Sequence, residues 1–155
     1  MTHNDVLRSL RFTLDANDAR IAELLKLGGR ETTREEVQAF LTPEGEPGHV
    51  AIDERSMGQL LDGLIVFRRG RDEKRPAPPP EPRVTNNVVL KKLRVAFQLE
   101  DADLRAVFAS ADCVVSKPEL SAFFRKPDNP HFRVCGDQYL RYFLKGLALR
   151  LRGPT

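Results

Sequence analysis

The chain has no tryptophan, two tyrosines, two cysteines and three histidines among its 155 residues. Each scarcity removes a kind of chemistry. Cys113 and Cys135 are too few for a disulfide framework and read as two small buried side chains. Zinc asks for about four ligands at suitable spacing. The best set is His131 and Cys135 with Cys113 and either Asp112 or Asp137; it contains no CxxC or HxxxH pair, so no metal is expected. His3, His49 and His131 supply no evident nucleophile–base pair, since His49 and His131 stand beside Gly48 and Pro130 in loop-like segments. A Gly-x-Ser-x-Gly elbow, a P-loop and a dinucleotide fingerprint are all missing. The expectation is a chain that is not an enzyme and carries no cofactor.

Long apolar runs are missing too. None approaches the ~18 residues that cross a bilayer, and Met1-Thr2-His3-Asn4-Asp5 lacks the basic and apolar regions of a signal peptide. No membrane association and a cytoplasmic location are expected.

What the chain does have is an internal repeat. An offset of 83 residues pairs residues 4–70 with 87–153 without a gap, and 16 of the 67 pairs are identical. The same offset holds from end to end, which coincidence does not produce. Each copy predicts four helices. Leu7, Leu10 and Leu14, and likewise Leu90, Leu93 and Phe97, share one face of the first helix. Ile21, Leu24 and Leu25 match Leu104, Val107 and Phe108 in the second, with Asp18 and Asp101 expected as its N-caps. Thr33…Glu36 and Ser116…Glu119 are capping boxes for the third, and Pro118 suits its first turn. The fourth is the longest and most apolar, with Met57, Leu60, Leu61, Leu64 and Ile65 against Leu140, Phe143, Leu144, Leu147, Ala148 and Leu151. Gly63 and Gly146 interrupt it at matching positions at a cost of ~1 kcal/mol each. They are read as a close approach of two backbones, with a ligand-facing gap as the alternative.

Residues 71–85 hold a proline-rich stretch that cannot bury an apolar face and is expected to run as an extended spacer. The expected fold class is therefore all-α: two tandem four-helix repeats, 1–70 and 86–155, joined by a proline-rich linker. A pseudo-two-fold axis is expected to relate them, with packing through their longest helices.

Three segments carry a family resemblance: Asn4-Asp5-Val6-Leu7-Arg8-Ser9-Leu10-Arg11, Asn86-Asn87-Val88-Val89-Leu90-Lys91-Lys92-Leu93-Arg94, and the run from Cys135 to Leu147. The chain resembles the YehS-like bacterial family, a domain of unknown function in two tandem copies. The resemblance covers nearly the whole chain. It implies the duplication and a bacterial cytosolic origin, and supplies no activity, substrate or catalytic residue.

Charge is the remaining signal. Residues 1–70 hold 9 basic and 12 acidic side chains, net −3, whereas residues 86–155 hold 12 and 7, net +5. Lys91, Lys92 and Arg94 cluster on the helix that opens the second copy, and Lys145 follows late in its last helix. Lys92 and Arg94 flank Leu93, so the cluster cannot all point one way. Asp137 and Gln138 open the last helix after Gly136; Asp137 reads as its N-cap, with a polar pocket of Asp137, Gln138 and Arg141 as the alternative. The functional expectation is a non-catalytic protein-interaction module that binds a protein partner or itself. The alternative is nucleic-acid binding through the basic second repeat. A homodimer is expected if Phe143, Leu147 and Leu151 hold an apolar surplus for its core.

Overall fold

A computed structural model describes residues 1–71 and 81–153, and every regular element among them is an α-helix. The helices are α1 (His3–Leu14), α2 (Asp18–Leu27), α3 (Arg34–Leu41), α4 (Glu54–Arg69), α5 (Asn86–Phe97), α6 (Asp101–Ser110), α7 (Lys117–Phe123) and α8 (Asp137–Arg152). The chain forms two compact units, Met1–Val84 and Thr85–Thr155, with four helices in each. Of the proline-rich linker expected over 71–85, residues 72–80 lie outside the described residues.

The units repeat each other closely. The bounds of α1, α2 and α4 recur 83 residues later, and α7 is one residue shorter than α3. Three left-handed positions recur as well: Asp15 with Gln98, Gly29 with Asp112, and Gly70 with Gly153. The loops before the fourth helices share hydrogen bonds too. Val50 N–H donates to the Ala39 carbonyl and Arg133 N–H to the Ala122 carbonyl, both at 3.1 Å. The loops differ at Gly45 and Gly48, whose positive φ values have no counterpart at Asp128 and His131.

Each core is filled by the faces that the periodicity marks. Leu7, Leu10, Ile21, Leu24, Leu25, Val37, Phe40, Met57, Leu60, Leu61 and Leu64 are buried in the first unit. Their counterparts are buried in the second, where Phe108 and Phe143 rings lie 5.5 Å apart. Each such side chain contributes roughly 1.5–3 kcal/mol when taken from water. Gly63 and Gly146 prove to be packing positions. A β-carbon on Gly63 would collide with the Leu24 carbonyl, and one on Gly146 with the Val107 carbonyl. The fourth helix therefore lies directly against the backbone of the second in both units.

The capping boxes form as expected. Glu36 N–H donates to Thr33 Oγ1 at 3.1 Å, and Thr33 N–H donates back to Glu36 Oε1 at 3.1 Å. Ser116 and Glu119 exchange the same bonds at 3.2 and 3.3 Å. Three other caps differ from expectation. Asn17, not Asp18, caps α2, its Oδ1 accepting Arg20 N–H at 2.8 Å. Glu100, not Asp101, precedes α6, and Asp103 Oδ2 accepts the Glu100 N–H at 2.9 Å. Gly136, not Asp137, occupies the cap of α8, because Asp137 stands in register with Glu54 rather than with the cap Asp53. Asn and Asp cap equally well, so neighbouring candidates are not separable by residue type.

One buried amide organises each unit. Asn4 Nδ2 donates to the carbonyls of Phe40 at 2.9 Å and Val50 at 3.0 Å, while its Oδ1 accepts Ile52 N–H at 3.1 Å. Asn87 does the same with Phe123, Arg133 and Cys135, each at 2.9 Å. The first turn of one helix thus fixes the end of the third helix and the approach to the fourth.

The capping-box glutamates draw their arginines from different loops. Arg30, between α2 and α3, donates to Glu36 at 3.2 Å and lies over the Phe40 ring at 5.5 Å. In the second unit position 113 is cysteine, and Arg133, between α7 and α8, donates to Glu119 at 3.1 Å and lies over Phe123 at 5.9 Å.

Candidate interaction surface

The outer face of α8 gathers positive charge. On a helix of 3.6 residues per turn, Gln138, Arg141, Lys145 and Arg152 fall within a narrow arc opposite the buried Leu140, Phe143 and Leu147. All four are exposed. Gln138, Arg141 and Lys145 form no side-chain hydrogen bond or ion pair among the described residues. The matching face of α4 reads Arg55, Gly58, Asp62 and Arg69, and a β-carbon on Gly58 would touch the Val84 side chain at 3.4 Å. Where the first unit has a glycine under a crossing segment, the second has an exposed arginine.

The other expected basic cluster does not assemble. Lys91 is exposed, but Lys92 is buried at 7 % exposure. Arg94 turns to Asp101 at 3.1 Å, with its guanidinium 4.8 Å above the Phe124 ring. Consecutive cations on a helix are about 100° apart, and here burial and pairing divide them.

The polar residues at the start of α8 differ in their partners. Asp137 Oδ1 accepts the Asn86 amide at 2.8 Å, and the Arg141 charge one turn on acts on the same carboxylate. Asn86 also donates to the Cys135 carbonyl at 3.0 Å.

Glu119, Cys135 and Cys113 of the second unit are shifted from their ordinary values by their surroundings. Hydrogen bonds from the Ser116 side chain and backbone, and then the Arg133 guanidinium, hold the Glu119 carboxyl below its usual range. Burial pushes the Cys135 thiol up to about 12, and burial and the Glu119 charge raise Cys113 as well. Both cysteines are buried and free. Among the described residues no three His, Cys, Asp or Glu side chains converge as metal ligands, and no helix is long and apolar enough to cross a membrane.

Residue types in isolation did not reveal how the paired helices are tied at their ends. In the first unit the Arg20 guanidinium lies 4.5 Å above the Phe67 ring, beside a cavity of ≈ 300 Å³ lined also by Leu14, Asn17 and Arg68. At the same two positions of the second unit, Asp103 and Arg150 form an ion pair at 2.9 Å. Offset alignment of the copies carries this signal: both members of the pair change together.

Fold and surface define a tandem duplication of a four-helix unit in which one copy carries a basic helix face. Residues 3–70 and 86–153 each match the DUF1456 family of proteins of unknown function, and the chain belongs to that family. It is 46% identical over 150 residues to the uncharacterized protein YehS of Escherichia coli (strain K12), covering 97% of this chain and 96% of that protein. No solved structure matches.

Proposed function

We propose that the chain is a non-catalytic protein-interaction module whose α8 face receives an acidic protein surface. The observation that carries this reading is the row of Gln138, Arg141 and Lys145, all exposed and with no side-chain hydrogen bond or ion pair within 4 Å among the described residues. Arg141 and Lys145 are about 6 Å apart along the helix axis, a spacing that carboxylates one turn apart on a partner helix would match. Charge complementarity of this kind sets orientation and encounter rate. Tyr139 and Tyr142, the tyrosines of α8, are only partly exposed, whereas stacking of unpaired bases uses an open aromatic face.

The test is recovery of partners from the native host by the full chain and by an Arg141→Glu/Lys145→Glu double variant, each with and without nuclease treatment. The expected result is a protein retained by the first and lost by the second. Equal recovery by both would overturn the assignment to α8, and loss of all recovery on nuclease treatment would overturn the protein partner.

A further inference from the structure

We propose a second binding site, in the shallow groove beside α7, that holds the phosphate backbone of duplex nucleic acid. It is independent of the α8 reading. The groove, ≈ 550 Å³, is lined by Lys117, Pro118, Ser121, Ala122, Arg125 and His131. Lys117, Ser121 and Arg125 recur every fourth residue and so follow one side of the α7 line. No carboxylate lines the groove.

Comparison between the units shows why the charge stands uncompensated. In the first unit the residue matching Lys117 is Arg34, which lies 3.9 Å from Asp18, and the residue matching Ser121 is Gln38, which donates to the same carboxylate at 3.3 Å. The counterpart of Asp18 is Asp101, and Arg94 holds it at 3.1 Å. The carboxylate that neutralises this face in one copy is thus engaged elsewhere in the other. Lys117 and Arg125 make no ion pair among the described residues.

The far wall of the groove is fixed in place. His131 N–H donates to Asn129 Oδ1 at 2.8 Å, Asn129 N–H to the Lys126 carbonyl at 2.9 Å, and Arg133 N–H to the Ala122 carbonyl at 3.1 Å. Pro118 and Ala122 are short side chains that let a phosphate approach the flanking cations and the Ser121 hydroxyl. Phosphate contacts of this kind position a backbone without reading sequence. No Phe, Tyr or Trp lines the groove and its one ring is the His131 imidazole, so successive unpaired bases have no stacking platform and the duplex is favoured.

The test measures binding of a short fluorescent DNA duplex to the full chain by anisotropy, at salt from about 50 to 200 mM. The comparison chains are Lys117→Ala/Arg125→Ala and Arg141→Ala/Lys145→Ala, each checked for an unchanged melt. The expected result is binding that weakens tenfold or more in the groove variant, with the log–log salt slope reduced by about 2, and a smaller change in the α8 variant. Three results would overturn the site: no binding by the unmodified chain at the lowest salt, equal weakening in both variants, or complete displacement of the duplex by poly-glutamate at equal charge concentration. The last would identify the occupant as acidic protein.

Discussion

The Asn87 side-chain oxygen accepts the Cys135 N–H at 2.9 Å, across 48 residues of sequence, and Asn4 accepts Ile52 N–H at 3.1 Å in the same way. Each asparagine is buried, and each satisfies one main-chain donor and two acceptors that no regular structure reaches. Replacing Asn87 by Ala leaves those groups without partners. A loss of about 3 kcal/mol is expected, since each unsatisfied buried group costs about 1–3 kcal/mol. Urea denaturation of the full chain measures it; an unchanged midpoint would show that water replaces the amide without cost.

Two glycines of the second unit should respond in opposite directions. Gly146→Ala improves helix propensity by ~1 kcal/mol, yet its methyl meets the Val107 carbonyl, a backbone atom. Overpacking of about 1–3 kcal/mol should prevail, so the variant melts lower. Gly136 stands at a cap with φ −70 and ψ 163, and nothing lies within 4 Å of a β-carbon there. Gly136→Asp supplies the side-chain cap that Asp53 gives α4, and should stabilise by roughly a few tenths of a kcal/mol, since glycine is itself a fair N-cap.

The Cys135 thiol, raised to about 12 by burial, makes stability depend on alkaline pH. Its folded pKa exceeds the unfolded value of about 8.5, so the folded state keeps a proton that the unfolded state releases. The contribution is complete below about 8.5 and declines as pH rises towards about 12. Cys135→Ser or Cys135→Ala should flatten the fall in urea midpoint between pH 8 and 10, roughly, relative to the unmodified chain. In the native chain, thiol titration with an aromatic disulfide should proceed only as fast as the protein opens.

The apolar surplus expected to build a dimer is spent inside the chain. Phe143 and Leu147 are fully buried, and of the three residues only Leu151 remains exposed, at 41 %. Light scattering should therefore give a single species of 17.5 kDa, unchanged between low salt and ~0.5 M salt. A larger mass at low salt that falls with added salt would instead support pairing of the basic second repeat with the acidic first.

The duplication, the helix count and the boxes at Thr33 and Ser116 were legible because each rests on local pattern. The Asn4 and Asn87 clamps were not, since their partners are main-chain atoms 36 to 48 residues away. The one available sign was an identical polar residue in the first turn of both copies. Among the candidate residues, Gln138, Arg141 and Lys145 share a face because their spacings follow the helical turn. Lys91, Lys92 and Arg94 are close in sequence and were separated by it. The α7 groove emerges only when Asp18 and Asp101 are seen to serve different partners.

The exchange of Arg30 for Arg133 makes the two halves poor donors for each other. Recombination that copied the loop before α8 into the first repeat would place an arginine at position 50 while Arg30 stayed, crowding two guanidiniums onto Glu36 and the Phe40 ring. The reciprocal transfer would put valine at position 133 opposite Cys113 and leave Glu119 with no guanidinium at all. Segments exchanged singly thus carry a penalty that whole repeats do not. Each copy is matched to itself by the side from which an arginine reaches its glutamate.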